Sequence, residues 1–247
     1  MAGAALLGRL SWQPATVAGV AMETPRVRTL ALDTGDWPGH RAGQHVDIRL
    51  TAEDGYQAER AYSIASAPGE ALAITVELLE DGEVSPYLVE EVRAGDRFEV
   101  RGPIGGYFVW DAADGGPLLL VAGGSGVVPF RSMLRHRRRS GSEVPARLLY
   151  SARTLEDVIY REELAEPGEG LDVALTLTRS QPPGWTGHSR RVDAELLREV
   201  AWPASEEPRT YVCGPTSFVE AVAGALVELG YDPARVKTER FGGTGGR

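Results

Sequence analysis

The chain has 247 residues, of which 43% are hydrophobic and 25% are charged, and its formal net charge is -9 at pH 7. This acidic balance argues against general nucleic-acid binding, because the phosphates would be repelled. No apolar run approaches the length of a transmembrane helix, and residues 1–10 lack the basic start and apolar core of a signal peptide, so we expect a cytoplasmic protein without a membrane span.

Short strands separated by turn residues are predicted up to about residue 110. Apolar and polar residues alternate in several of them, as in half-exposed antiparallel strands. One short helix is predicted after Gly82, with Tyr87, Leu88 and Val92 on one face. Evenly spaced short strands indicate a small closed barrel. The predicted strands are 16–20, 27–32, 44–50, 61–65, 72–79 and 97–100.

The most distinctive strand of this barrel contains Arg60, Tyr62 and Ser63. Because strand side chains alternate, Arg60, Tyr62 and Ile64 are predicted to face one way. A guanidinium suits a phosphate, and a flat aromatic ring can pack on a cofactor. The alternative is an edge strand with an exposed ion pair, which is the usual environment of an isolated Arg-x-Tyr.

Strands alternate with helices beyond the Asp-Gly-Gly-Pro break at 114–117, which predicts a parallel sheet with right-handed crossovers. We therefore place a domain boundary there, with one domain at 1–113 and another at 114–247. The predicted strands are 118–122, 147–151, 173–178, 210–213 and 237–242. The predicted helices are 130–139, 155–165, 194–200 and 217–229.

The strand at 118–122 is an unbroken apolar run, typical of a strand buried on both faces, and it ends in a glycine turn. Gly123, Gly124 and Gly126 have no Cβ, so a ligand can approach their N–H groups. The helix that follows directs its positive end to the same place, which suits a phosphate. The spacing is not G-x-G-x-x-G, because Pro129 stands where the last glycine would be. The alternative is a helix-entry turn without a ligand.

Three motifs follow one another in the first half: Arg60-x-Tyr62-Ser63, Gly-Glu-Val-Ser at 82–85 and Arg-Gly-Pro-Ile-Gly-Gly-Tyr-Phe at 101–108. Together they resemble the ferredoxin–NADP reductase family of flavoproteins, and the second half has matching motifs in the expected order. The resemblance covers nearly the whole chain. It implies a two-domain fold, with an N-terminal antiparallel β-barrel that binds FAD at 1–113 and an α/β parallel-sheet domain that binds NAD(P) at 114–247.

The resemblance assigns flavin contacts to the barrel motifs. Arg60 would pair with a flavin phosphate, Tyr62 would pack along the isoalloxazine or ribityl chain, and Ser63 would place its hydroxyl near flavin N5. The Gly-x-x-Ser element would bind the pyrophosphate, and a pyrophosphate site implies FAD rather than FMN. The implied contact residues are Arg60, Tyr62, Ser63, Ile64, Gly82, Val84 and Ser85.

The glycine turn is similar to the family's pyridine-nucleotide site. Ligands bind beyond the carboxyl ends of strands in such sheets, so Arg153 and Arg179 would point into the cleft, with Arg190 or Arg191 nearby. Clustered guanidiniums suit a 2′-phosphate, so NADPH is expected and NADH is possible. The alternative is surface arginines on loops, and two residues separate Arg190 from its Thr-Gly pair, unlike the family's Thr-Gly-Arg. The implied residues are Gly123, Gly124, Ser125, Gly126, Pro129, Arg153, Thr178, Arg179, Arg190 and Arg191.

Two further motifs would lie at the reacting rings. Cys213, before Gly214 and Pro215, would contact the nicotinamide; the alternative is an ordinary buried core cysteine. Glu239 would sit near the reacting centre and Phe241 would cover the flavin. Because residues 242–247 extend past this aromatic, the alternative for Phe241 is a plain hydrophobic anchor. The implied catalytic residues are Ser63, Cys213 and Glu239.

Cysteine and histidine usage limits other chemistry. Cys213 is the single cysteine, so the chain cannot supply the ligands, about four, of an iron–sulfur cluster. The histidines have no metal-ligand spacing, and no G-x-S-x-G pattern is present. We therefore expect no metal, and hydrolase or metalloenzyme functions have little support.

Five arginines crowd the helix predicted at 130–139. A solvated helix face is the first interpretation. The alternative is a docking patch for an acidic electron carrier. The five are Arg131, Arg135, Arg137, Arg138 and Arg139.

The implied reaction is hydride transfer from NADPH C4 to flavin N5, followed by release of single electrons. With no cluster in the chain, the acceptor must come from elsewhere, as a ferredoxin, a flavodoxin or an oxygenase component. One alternative is a reductase subunit dedicated to one partner enzyme. Another is a non-enzymatic nucleotide-sensing flavoprotein, against which Ser63, Cys213 and Glu239 together argue.

Overall fold

The computed structural model describes residues 10–241. Within them, the first half of the chain forms β1 (Gln13–Thr24), β2 (Val27–Asp33), β3 (His45–Thr51), β4 (Gln57–Ser63), β5 (Ala73–Glu77) and β6 (Arg97–Ile104). These strands make one antiparallel sheet in the order β4-β3-β6-β1-β2-β5. Ile64, just after β4, bridges to Ile74 on β5 and joins the two edges. The predicted antiparallel barrel is confirmed.

The barrel is filled by alternate strand positions, as the apolar–polar pattern predicts. Leu30 and Leu32 on β2, and Val46 and Ile48 on β3, are buried between more exposed neighbours. Full burial of a side chain of this size contributes about 1.5–3 kcal/mol. The interior is therefore a packed core, and any ligand site must lie at the barrel rim or outside it.

The second half forms a parallel sheet of β7 (Leu118–Gly123), β8 (Ala146–Ala152), β9 (Leu171–Leu177), β10 (Arg209–Pro215) and β11 (Val236–Phe241). Its order is β11-β10-β7-β8-β9. The strands alternate with α1 (Val127–Arg139), α2 (Arg161–Ala165), α3 (Ala194–Val200) and α4 (Thr216–Glu228). β7 is central and buried along its whole length, as its apolar run predicts. The α/β class is confirmed.

Two predicted helices take another form in the structure. The segment after Gly82 is a five-residue π-helical turn, Tyr87–Glu91, and the helix predicted at 155–165 is split into a 3-10 turn, Leu155–Asp157, and α2. The split occurs at Tyr160, which has a φ of 59° and is buried against the barrel. Its hydroxyl donates to Thr75 Oγ1 at 2.5 Å, and this contact overrides the helical pattern. No helix between residues 10 and 241 is long and apolar enough to cross a bilayer.

Buried hydrogen bonds join the barrel to α1. The carbonyl of Ser66, which follows β4, accepts a hydrogen bond from Ser132 Oγ at 2.6 Å and lies 2.9 Å from His40 Nε2. Phe108 and Trp110, between the two sheets in sequence, are buried among side chains of the second half. The class of sheet therefore changes between β6 and β7, and the domain limits 1–113 and 114–247 stay a prediction.

Most of the α1 arginines are used within the molecule. Arg131 pairs with Glu163 at 2.8 Å and Arg135 with Glu70 of the barrel at 2.8 Å. Arg137 is buried and donates to three backbone carbonyls. The prediction of a solvated face is therefore wrong at Arg137, because the chain after α1 folds over it. Of the five, Arg138 alone lacks a side-chain hydrogen bond or ion pair within the described residues, which leaves little free charge for a docking patch.

The interface between the sheets can be tested at Phe108, which is 5% exposed and packs against Phe130 and Tyr211. Phe108→Ala should lower the free energy of unfolding by about 3–5 kcal/mol, because it leaves a cavity there. The neighbouring Tyr107 is 62% exposed, so Tyr107→Ala should change the free energy of unfolding by less than about 0.5 kcal/mol. Urea denaturation followed by tryptophan fluorescence measures both, and equal losses would contradict the interface.

Candidate functional site

Two adjoining cavities lie where the barrel meets the carboxyl ends of the parallel strands. The barrel cavity, of about 420 Å³, is lined by residues that include Arg60, Tyr62, Ser63, Gly82 and Ser85. The sheet cavity, of about 200 Å³, is lined by residues that include Gly123, Gly124, Arg153, Thr178 and Pro215. Glu77, Ser125 and Phe241 line both. The two cavities therefore adjoin each other at these three residues.

β4 brings Arg60, Tyr62 and Ser63 to the barrel cavity. Arg60 Nη2 donates to Glu83 Oε2 at 2.5 Å, and Tyr62 packs against the barrel core, where burial raises the pKa of its hydroxyl. β4 lies at an edge of the strand order and this ion pair is half exposed. The structure thus shows both predicted features, a cavity-lining motif and an exposed ion pair on an edge strand.

Ile64 does not share the environment of Arg60 and Tyr62. It is fully buried in the barrel core and bridges to Ile74, and its backbone N–H donates to the Gln44 carbonyl. The chain turns inward here to join the barrel edges, so the predicted strand alternation ends at Ser63. Contact between the Ile64 side chain and a ligand in the barrel cavity is not supported by this position.

The Gly-Glu-Val-Ser turn at 82–85 forms one wall of the barrel cavity. A Cβ at Gly82 would lie 2.8 Å from Ser85 Oγ and 3.0 Å from the Leu79 carbonyl, so the turn admits no side chain. Ser85 Oγ accepts the Leu79 N–H at 3.1 Å. The Val84 side chain is fully buried in the barrel core, so only its backbone is available to a ligand. The π-helical turn that follows is too short to provide a helix dipole.

Each glycine after β7 is needed for a different structural reason. A Cβ at Gly126 would overlap the Cys213 carbonyl, so this position holds the ends of β7 and β10 together. A Cβ at Gly123 would lie 2.9 Å from the Phe218 ring. Gly124 has a φ of 55° and open space beside it, so it serves the turn and leaves its backbone accessible. Pro129 is buried within α1 and lines neither cavity.

The ends of β8 and β9 place Arg153, Thr178 and Arg179 side by side. The Thr178 N–H donates to the Ala152 carbonyl at 3.0 Å, and the Arg179 N–H donates to the Arg153 carbonyl at 2.9 Å. Arg153 and Thr178 line the sheet cavity, and Arg179 is exposed next to them. Within residues 10–241 neither arginine forms an ion pair, so both guanidiniums are free to meet an anion.

Arg190 is differently placed. Its guanidinium pairs with Asp193 at 2.8 Å and with Glu195 at 2.5 Å, and its carbonyl accepts a hydrogen bond from Thr176 Oγ1 of β9. Arg191 is exposed, and neither residue lines the two cavities. The acidic partners neutralise Arg190, whereas Arg153 and Arg179 have none in the described part of the chain.

Cys213 and Glu239 are register partners on β10 and β11. The Cys213 Sγ lies 3.9 Å from Glu239 Oε2. Burial raises the pKa of Glu239 to about 7, and burial together with this carboxylate raises the pKa of the Cys213 thiol. The pair therefore offers a neutral thiol and a carboxyl group that exchanges a proton near neutral pH. Two residues further along, Pro215 and Phe241 line the sheet cavity.

Phe241 is the last described residue, and the predicted effect of residues 242–247 lies outside the described part. Its side chain is partly buried and lines both cavities. It also packs against the hydrophobic cluster that contains Phe108 and Cys213. The position suits both predicted roles, a cover over a bound ring and a hydrophobic anchor.

Sequence reasoning assigns no role to Glu83 or Phe218. Glu83 stands inside the Gly-x-x-Ser element. The sequence feature that could have identified it is a carboxylate within a motif that is expected to bind an anion. The Phe218 ring faces Gly123 and Gly214, where added Cβ atoms would lie 2.9 and 2.7 Å away. No local pattern links Gly123 to Phe218, because these two residues meet only through the parallel pairing of β7 with β10.

Comparison with known proteins agrees with the order of the two sheets. Residues 22–109 match the oxidoreductase FAD-binding domain, and residues 120–224 match the oxidoreductase NAD-binding domain. Ferredoxin–NADP reductase B of Sorangium cellulosum is 36% identical over 230 residues, which are 88% of this chain and 93% of that protein. The glycine betaine monooxygenase reductase subunit of Chromohalobacter salexigens is 33% identical over 91% of this chain, which spans 63% of that relative.

A solved structure shows the same fold. The ferredoxin NADP+ reductase of Neisseria gonorrhoeae, with bound FAD and NADP, has a TM-score of 0.79 at 23% identity. The match covers 93% of this chain and 98% of that one. At this identity the likeness concerns the fold, in which a barrel precedes a parallel α/β sheet.

The raised pKa of Glu239 predicts a pH-dependent stability. The unfolded chain loses this proton near the ordinary value of 4.5 and the folded chain near 7, so the folded state binds more protons between these values. The free energy of unfolding should therefore fall from pH 4.5 to 7 and stay low above 7. Glu239→Gln should remove this part of the slope and stabilise the protein at pH 8 by about 2 kcal/mol.

Urea denaturation between pH 5 and 8.5 measures the effect. Glu220→Gln on α4, at an exposed glutamate, should keep the wild-type slope. An unchanged slope in Glu239→Gln would show that this carboxyl group titrates normally in the folded protein.

Proposed function

This chain belongs to the ferredoxin–NADP reductase family of flavoproteins, and we propose that it takes hydride from NADPH and passes electrons singly to a separate acceptor protein. Membership makes it an FAD-dependent NAD(P)H oxidoreductase that serves an electron acceptor. The observation that carries the finer proposal is the lining shared by the two cavities, through Glu77, Ser125 and Phe241. A flavin in one cavity and a nicotinamide in the other would be in contact.

The barrel cavity fits the flavin part of FAD. Its volume of about 420 Å³ lies within the range of small-molecule sites, roughly 300–1,000 Å³. Tyr62 supplies a flat ring, Ser63 a hydroxyl and Arg60 a guanidinium, and Gly82 leaves the turn free of a side chain. We propose that the residues named from the motifs hold the cofactor, with Ile64 acting through the barrel core. The FAD domain is proposed at 1–113 and the NAD(P) domain at 114–247.

FAD, when bound, accepts a hydride at N5 from C4 of NADPH and releases the electrons one at a time. The chain contributes alignment of the two rings. Ser63 donates a hydrogen bond at the flavin edge, and Cys213 contacts the nicotinamide as a neutral thiol. Glu239, with its pKa of about 7, holds or releases a proton at its carboxyl group beside the reacting rings. Phe241, which lines both cavities, would cover the flavin.

The preference for NADPH is proposed from the arginines that have no acidic partner among the described residues. Arg153 and Arg179 follow the ends of adjacent strands next to the sheet cavity, so both can meet a 2′-phosphate that NADH lacks. Arg190 is paired with Asp193 and Glu195. We assign it, with Arg191, a smaller share of the binding.

The acceptor is proposed as a ferredoxin, a flavodoxin or an oxygenase component. This chain matches 93% of the Sorangium cellulosum ferredoxin–NADP reductase. This similarity supports a ferredoxin or a flavodoxin as the acceptor. A second candidate is a dedicated oxygenase reductase, because relatives include a reductase component of propane 2-monooxygenase from Mycolicibacterium goodii. Slow turnover until one partner enzyme is added would favour this candidate. We also propose a cytoplasmic location, which the single cysteine supports.

The half-reaction can be measured by mixing the protein with NADPH without oxygen. Loss of the oxidised-flavin absorbance is expected, and denaturation should release FAD. Ser63→Ala should slow this loss by about tenfold, because one positioned hydrogen bond at the flavin is removed. NADPH binding without bleaching would contradict the proposal and favour a nucleotide sensor.

The arginine assignment predicts a change of specificity. Arg153→Ala and Arg179→Ala should each lower kcat/KM for NADPH about 10- to 100-fold, because a charge-assisted contact with phosphate is lost. The kcat/KM for NADH should change by less than about threefold, since NADH has no 2′-phosphate.

Arg138, an exposed arginine of α1, provides the matched control, since Arg138→Ala removes the same charge away from the sheet cavity. Steady-state kinetics with both nucleotides tests the assignment. Equal losses with NADPH and NADH would show that these arginines do not recognise the 2′-phosphate.

A further inference from the structure

The guanidinium expected to bind the flavin phosphate already has an anionic partner in the same motif region. Arg60 Nη2 donates to Glu83 Oε2 at 2.5 Å. The side chains are 51% and 48% exposed, so the pair is open to water and can exchange partners. Glu83 lies between Gly82 and Val84, in the turn expected to hold the pyrophosphate. One arginine therefore faces two anions, one of which belongs to the chain.

A second residue holds the Glu83 carboxylate in place. Tyr56, in the turn between β3 and β4, donates from its hydroxyl to Glu83 Oε1 at 2.7 Å. Both carboxylate oxygens thus receive a hydrogen bond, one from Tyr56 and one from Arg60. These bonds lower the pKa of Glu83, so the group is a carboxylate at neutral pH.

Glu83 also stands at the boundary of two spaces. It lines the barrel cavity and a groove of about 800 Å³ on the outer side of the barrel, which includes Tyr56 and Tyr87. Among the described residues Glu83 alone lines both. A ligand that extends from the barrel cavity into this groove must pass the carboxylate, and a phosphate there would meet both the repulsion of Glu83 and the attraction of Arg60.

We propose that Glu83 competes with the FAD diphosphate for Arg60 and thereby limits the affinity of this chain for FAD. The inference rests on the proposed FAD site in the barrel cavity. Binding of the diphosphate exchanges the Arg60–Glu83 pair, in which Tyr56 holds the carboxylate beside the guanidinium, for an Arg60–phosphate pair. A flavin without a phosphate leaves the pair intact, so the competition acts on FAD and not on riboflavin.

The test is a titration of the flavin-free, full-length chain with FAD and with riboflavin, followed by flavin fluorescence. Glu83→Gln should lower the Kd for FAD about three- to tenfold, because an exposed ion pair no longer has to be broken and a like charge is removed. The Kd for riboflavin should change by less than twofold. The difference in Kd for FAD between the wild-type chain and Glu83→Gln should shrink at about 0.5 M KCl, because exposed charges are then screened.

Two further variants separate this effect from general ones. Glu59→Gln removes an exposed glutamate from the same strand as Arg60. Glu59 pairs with Arg49 at 2.7 Å, and its replacement should leave the Kd for FAD unchanged. Tyr56→Phe removes one hydrogen bond to Glu83 and should lower the Kd for FAD by a smaller factor than Glu83→Gln.

An unchanged or higher Kd for FAD in Glu83→Gln would overturn the inference. So would an equal gain for riboflavin, because the effect would then not involve the diphosphate. Both results leave the proposed function standing if the wild-type chain binds FAD and bleaches with NADPH. A wild-type chain that binds no FAD would overturn the inference and the proposed function together.

Discussion

The Ser66 carbonyl is the point on which the geometry of the site depends. Trp37 Nε1 donates to His40 Nδ1 at 3.2 Å, so the other ring nitrogen of His40 has the proton and donates to Ser66. Burial lowers the pKa of His40, which keeps the imidazole neutral. Ser132 of α1 donates to the same carbonyl. The strand with the Arg-x-Tyr-Ser motif and the helix after the glycine turn are therefore fixed to one buried oxygen.

The fold was accessible from the sequence because its patterns are local. β7 reads as a buried strand from its apolar run alone, and α3 coincides with the predicted 194–200. The failures occur where distant residues decide. Tyr160 breaks a helical pattern through a hydrogen bond to Thr75 in the other half of the chain, and Arg137 is buried by a segment that follows α1. The periodicity of a local segment contains no information about contacts with distant parts of the chain.

The candidate site shows the same limit at the level of side chains. Motif spacing identifies the positions at strand ends, and the structure brings Arg153 and Thr178 together as this geometry requires. Motif spacing does not show that Asp193 and Glu195 neutralise Arg190. Nor does it show that the Cys213 carbonyl leaves no room for a Cβ at Gly126. The glycine pattern thus combines packing constraints with ligand access, and only coordinates separate the two. In a chain with a net charge of -9, an anionic nucleotide depends on the few unpaired cations nearby.

The environment of Cys213 has a chemical consequence for a protein whose cofactor can react with dioxygen. Peroxide attacks the thiolate form of cysteine, and oxidation follows thiolate character and exposure. Cys213 is buried, and its raised pKa keeps the sulfur protonated. Burial and the raised pKa of the sulfur beside Glu239 therefore both disfavour sulfenic acid formation at this position.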